Sequence, residues 1–130
     1  MKKGFTLLEL IIVIIIIGVL ATLGFTQYAK MIEKGRMGEA KSVLGNIRTM
    51  EKAYQLETGN WGTLAQVGLS ELPGTCSNTQ YYFTYSVNAG NGTATASRCA
   101  TGGKPAAAGT GKGYDVVINF DAGTLIGGPT

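Results

Sequence analysis

Hydrophobic positions follow three different rhythms along this chain. From Phe5 to Phe25, FTLLELIIVIIIIGVLATLGF is apolar except for small residues, two threonines and one carboxylate, Glu9. A helix rising about 1.5 Å per residue over that length just spans a bilayer core. Between Ala40 and Tyr54 the rhythm changes: Ala40, Val43, Leu44, Ile47, Met50 and Tyr54 recur at steps of three and four, the spacing of one buried helical face. Lys41, Arg48 and Lys52 fall on the other side, which reads as a solvated or subunit-facing stripe. Further on, Tyr81, Phe83, Tyr85 and Val87 alternate with polar residues, as do Tyr114, Val116, Ile118 and Phe120, the pattern of half-buried strands.

Nothing interrupts the helical part early, since no proline precedes Pro73. One helix is predicted from Phe5 to Glu57, about 80 Å long, ending at Thr58-Gly59-Asn60, where glycine supplies a left-handed cap. The pairs Lys30/Glu33, Glu33/Arg36 and Arg48/Glu51 add local support at i, i+3. Gly35, Gly38 and Gly45 work against it and suggest bending or close packing between neighbours. Fourteen of the 20 glycines and all 3 prolines lie beyond Thr58, so turns and strands replace helix there. Residues 61–79 form a connecting loop with one helical turn near Leu64 to Val67. Strands then cover 81–87, 93–99 and 114–120, with a short last one at 124–126. An Asn-Gly turn joins the first two, and a Gly/Ala loop fills 100–113. The fold class is α+β: a long N-terminal helix whose amphipathic half packs on the apolar face of a three- to four-stranded antiparallel sheet.

Composition narrows the function. With 130 residues, 45% of them apolar and many of those in the first segment, there is room for one small domain. The net charge of +3 comes from 11 basic and 8 acidic side chains, and it gives no argument for a nucleic-acid partner. Histidine is absent, which removes the commonest general base and metal ligand. The two cysteines, Cys76 and Cys99, in a short chain with a membrane-targeting start, are expected to be bridged in an oxidising compartment. Loop charges do not orient the span, because Lys30, Lys34 and Arg36 at one end oppose Lys2 and Lys3 at the other.

Glu9 is the costly residue. A charge within hydrocarbon is unfavourable by a few kcal/mol, at least about 2.5, and is by default a functional position that needs a partner. At these residues, KGFTLLEL followed by an Ile/Val/Leu run containing Gly18, the chain resembles the N-terminus of type IV pilins and of the pseudopilins of type II secretion. This resemblance implies cleavage after Gly4 by a prepilin peptidase and N-methylation of Phe5. It implies a role in assembly for Glu9, fifth in the mature chain, pairing with the Phe5 ammonium of a neighbour. Where many pilins carry a helix-breaking proline, this chain has Thr26. The organisation is then a leader over 1–4, a transmembrane and filament-core helix over 5–28, its amphipathic continuation over 29–58, and a loop plus sheet over 59–130. A secretory signal peptide is the rival, with Val19-Leu20-Ala21 as cleavage site and Thr22 as the new start.

Other chemistries find little support. No Ser/His/Asp set, Cys/His pair, P-loop or dinucleotide fingerprint is present, so no catalytic residue and no cofactor is assigned. Asp115, Asn119 and Asp121 could approach one another at a strand edge, but solvated positions and a turn explain them better than calcium, and no metal site is assigned. Asn91-Gly92-Thr93 is a formal glycosylation sequon that a hairpin turn also accounts for. Gly90-Asn91-Gly92 and Gly111-Lys112-Gly113 read as turns. Phe25 and Tyr28 fit an interfacial aromatic belt, and Tyr54 a helix-sheet core, ahead of any electron path that includes Trp61. The expected function is therefore structural: a subunit of a pilus-like homo-oligomeric filament, held in the inner membrane as precursor and at the cell surface after assembly. Its implied partners are the membrane, the peptidase and an inner-membrane assembly machinery. The alternatives are a periplasmic pseudopilin of type II secretion and a non-polymerising membrane-anchored binding module.

Overall fold

A computed structural model describes residues 3–77, 80–104 and 113–129. Met1 and Lys2 of the expected leader, Lys112, and most of the Gly/Ala loop lie outside the described residues. A single helix, α1, runs over Leu7–Thr58 and is followed by four strands, β1 Phe83–Asn88, β2 Thr93–Arg98, β3 Asp115–Asn119 and β4 Leu125–Gly127. The chain divides into two compact units, Met1–Ile32 and Glu33–Thr130.

In the first unit α1 is exposed along its whole apolar stretch. Its hydroxyls are not left open: the Thr22 hydroxyl donates to the Gly18 carbonyl (2.6 Å) and that of Thr26 to Leu23 (3.3 Å). Turning the hydroxyl back onto the helix is how threonine is accommodated in an apolar segment. Gly18 and Gly24 meet nothing that would exclude a side chain.

In the second unit the helix buries Ala40, Leu44, Ile47 and Glu51. Met50, expected on this face, is 40% exposed, and Glu51 takes the buried place. At about 100° per residue the sequence 40, 44, 47, 51 holds one line, and residue 50 falls a hundred degrees off it. The helix stops where expected, with Gly59 at φ 80° and its N–H bonded to the Gln55 carbonyl at 2.8 Å.

The sheet is an antiparallel meander in the order β1-β2-β3-β4. Phe83 and Tyr85 on β1, Ala94 and Ala96 on β2, and Val116 and Ile118 on β3 point to the core, with Phe120 just past β3. The small residues occupy the strand flanked by the bulky ones, and Ala40, Leu44 and Ile47 of the helix join them in one buried cluster. Tyr81 and Tyr82 precede β1 and do not begin it, Cys99 follows β2, and β4 is shifted by one residue from expectation. Residues 64–67 make a single helical turn as expected, with the Val67 N–H on the Thr63 carbonyl at 3.1 Å, and the Leu69 N–H closes it on the Leu64 carbonyl at 2.7 Å. The hairpin at Asn91-Gly92 is as expected, with Gly92 at φ 61°. A Cβ at Gly92 would lie 2.7 Å from Trp61 Nε1, so this turn is packed under the indole.

Candidate functional site

Local chemistry at the helix start shapes the first candidate. Thr6 stands immediately before α1, and the Glu9 N–H donates to its Oγ1 at 3.2 Å. In return the Thr6 N–H and hydroxyl donate to Glu9 Oε2 at 2.9 and 3.0 Å. This is a capping box, in which N-cap hydroxyl and third-residue carboxylate satisfy each other's backbone donors. Among the described residues Glu9 pairs with no cation. Its carboxylate is therefore parked on hydrogen bonds, with its charge uncompensated among the described residues. Gly4 and Phe5 precede it and are exposed, Phe5 at 92%.

A second group lies in the globular unit, where three helix carboxylates act as hooks for the sheet and loops. Arg98 Nε donates to Glu33 Oε1 at 2.6 Å and the Tyr114 hydroxyl to the same oxygen at 2.8 Å, while Arg36 approaches Oε2 at 3.4 Å. Arg98 also donates to the Tyr82 and Cys99 carbonyls at 3.0 and 2.9 Å. Burial alone raises the Glu33 carboxyl, but the hydrogen bonds from Arg98 and Tyr114 and the charges of Arg98 and Arg36 outweigh it and hold it below the usual range. Burial, then the Glu33 bond and charge, push the Tyr114 hydroxyl far up.

The second hook is Glu39, whose Oε1 accepts the Tyr82 N–H at 2.9 Å and the Tyr85 hydroxyl at 3.3 Å. The third is Glu51, whose Oε2 accepts the Gly62 N–H at 2.8 Å. Its Oε1 is buried with no hydrogen-bond partner among the described residues. Burial raises the Glu51 carboxyl above the ordinary value, only partly opposed by Gly62.

One expectation is corrected here. Arg48 and Lys52 are not a solvated stripe: Arg48 Nε donates to the Phe120 carbonyl at 2.9 Å and Lys52 Nζ to Asp121 Oδ1 at 2.8 Å, clamping the turn after β3 to the helix. Arg48 is thereby turned away from Glu51, and of the expected helical pairs Glu33/Arg36 is formed. Asp115, Asn119 and Asp121 take the strand and turn positions expected of them: Asn119 Oδ1 accepts the Ala122 N–H and Asp121 is on Lys52. Cys76 and Cys99 are bridged, with their Cα atoms 5.6 Å apart.

Residues 1–25 match the prokaryotic N-terminal methylation motif. Fimbrial protein EcpC of Eikenella corrodens is 38% identical over 60 residues, 46% of this chain and 39% of that protein. The type IV major pilin protein PilA of Myxococcus xanthus is 34% identical over 64 residues, 49% of this chain and 29% of that protein. A fimbrial protein of Neisseria meningitidis is 32% identical over 97 residues, 74% of this chain and 55% of that protein. The motif and these relatives together support a place for the chain in the type IV pilin family. The chain spans less than two thirds of the length of each of these relatives. The family is one of structural proteins and not of enzymes, which agrees with carboxylates committed to capping and cross-linking the fold.

Sequence reasoning passed over several residues of this chain. Thr6 was detectable, since Thr-x-x-Glu ahead of an apolar run is the capping-box signature. Glu33 and Glu51 were detectable as acids falling in line with Ala40, Leu44 and Ile47, where an acid needs a partner. Arg98 as that partner was not, because it is 65 residues away from Glu33.

Proposed function

We propose that this pilin is the structural subunit of a type IV pilus-like filament. The observation that carries the reading is the exposed apolar helix of the first unit, which carries one carboxylate, Glu9, bound among the described residues to Thr6. Such a surface is stable in two settings, lipid or a bundle of identical helices. The precursor is held in the inner membrane by 5–28, and a prepilin peptidase cuts after Gly4 and methylates Phe5. An inner-membrane assembly machinery then moves the subunit into a surface filament, where Glu9 meets the Phe5 ammonium of a neighbour. That contact cancels two charges that are costly in an apolar core. The sequence motif and the names of the relatives support this reading.

Intact-mass measurement of the membrane-held and sheared fractions tests it. A mature chain that starts at Phe5 with a methylated amine is expected in both. A start at Thr22 contradicts the reading and favours the secretory signal peptide.

A further inference from the structure

The part of α1 that follows the apolar segment is unevenly charged around its circumference. Lys30, Lys34 and Lys41 are all exposed, and at about 100° per residue they fall within about 40° of one line along the helix. None of them makes an ion pair among the described residues. The sequence offers Lys30 a partner in Glu33, three residues on, but Glu33 is buried against Arg98, Tyr114 and Arg36. Glu39, the next acid of the helix, is turned to the sheet, on the Tyr82 N–H and the Tyr85 hydroxyl. Arg36 is withdrawn as well, on Glu33 and over the Tyr82 ring at 4.9 Å. What faces outward is a line of lysines whose neighbouring acids are engaged elsewhere.

Axial position separates the three. The apolar segment ends near residue 28, where Phe25 and Tyr28 are exposed, as befits an interfacial aromatic pair. Along a helix rising about 1.5 Å per residue, Lys30 stands about 3 Å past that level, Lys34 about 9 Å and Lys41 about 20 Å. A headgroup layer is roughly 5–8 Å deep on each side of the hydrocarbon, and a lysine stem lies back along apolar surface toward it. Lys30 and Lys34 therefore reach lipid phosphates, and Lys41 does not.

We propose that Lys30 and Lys34 form a clasp for anionic phospholipid headgroups in the outer leaflet of the membrane that holds the precursor. The proposal rests on the membrane-held precursor described above and adds to it a class of lipid. Two ammonium groups one helical turn apart, with no exposed carboxylate between them, favour a headgroup of net negative charge over a zwitterionic one, whose own cation opposes them. Each lysine near an anionic surface favours contact about five-fold, and the attraction fades within about 8 Å at physiological salt. Lys41 lies outside that range. The burial of Glu33 serves the same end, since a carboxylate exposed beside Lys30 repels these headgroups.

The test uses the full-length chain in vesicles of phosphatidylcholine, alone or mixed with phosphatidylglycerol. A brief pulse of an amine-acetylating reagent, read by mass spectrometry, is expected to modify Lys30 and Lys34 about five-fold more slowly in the anionic vesicles, with Lys41 unchanged as internal reference. Inorganic phosphate added to phosphatidylcholine vesicles is expected to give no such protection, which assigns the effect to the lipid. Phosphatidylglycerol that stays with the protein through detergent extraction is expected to be enriched over the bulk mixture. Lys30→Gln with Lys34→Gln is expected to abolish that enrichment, and Lys41→Gln to keep it. Equal acetylation in the two kinds of vesicle, protection of Lys41 as strong as that of Lys30, protection by free phosphate, or enrichment that survives the double substitution overturns the proposal. A chain that fails to float with phosphatidylcholine vesicles overturns the membrane-held reading itself, a result distinguishable from the others.

Discussion

Arg98 on the second strand and Glu33 on the helix meet at 2.6 Å with side chains 3% and 5% exposed, so the sheet is tied to the helix by a buried ion pair. Removing Arg98 leaves the Glu33 carboxylate buried with only the more distant Arg36 and the Tyr114 hydroxyl beside it. Arg98→Met is expected to destabilise the globular unit by about 3–5 kcal/mol, whereas the double change Arg98→Met with Glu33→Leu costs much less. Denaturant unfolding of the wild type and the two variants checks this. A double variant as unstable as the single one would show that the pair itself, and not an orphaned charge, supplies the stability.

The bridge between Cys76 and Cys99 closes a loop with sequence separation 23. Its reduction, or Cys76→Ser with Cys99→Ser, is expected to cost about 3 kcal/mol by the chain-entropy estimate. Thermal unfolding with and without reductant measures it, and coincident transitions would contradict the estimate.

How much of this was legible in the chain depends on the range of the interaction. The apolar span, the helical line through Ala40, Leu44 and Ile47, and the alternation of Phe83/Tyr85 and Val116/Ile118 are set by residues a few positions apart, and periodicity shows them directly. The cysteine pairing followed because there were only two. The exchange of Met50 for Glu51 on the buried face was not visible, because hydrophobicity argues for methionine and only the Gly62 N–H rewards the carboxylate. The roles of Arg48 and Lys52 depend on Phe120 and Asp121, some seventy residues on, with separations of 72 and 69. The Thr6–Glu9 box was local and legible, but a carboxylate in an apolar run drew attention to distant cations and away from the hydroxyl three residues before it.

Glu33 and Glu51 have opposite pH signatures. Glu33 titrates below its unfolded value, so its stabilisation is present above that value and is lost as pH falls through the lowered one. Glu51 titrates above its unfolded value, so the folded state holds a proton that the unfolded state has released, and stability falls as pH rises through that window. Glu51→Gln keeps an oxygen for the Gly62 N–H and removes the charge. Unfolding midpoints from mildly acidic to neutral pH are expected to decline for wild type and to flatten in the variant, which is the more stable of the two at neutral pH. Parallel profiles for both would show that Glu51 is not the group responsible.

The central claim is that the charge of Glu9, and not its capping of α1, drives assembly. Three variants expressed as sole subunit separate these roles: Thr6→Ala breaks the box and keeps the charge, Glu9→Gln keeps an acceptor for the box and removes the charge, and Glu9→Val removes both. The decisive measurement is the ratio of sheared filament to membrane-held subunit. The account predicts membrane insertion and cleavage at Gly4 in all three, substantial filament from Thr6→Ala, and a severe loss from Glu9→Gln and Glu9→Val alike. Normal filament yield from Glu9→Gln would contradict it.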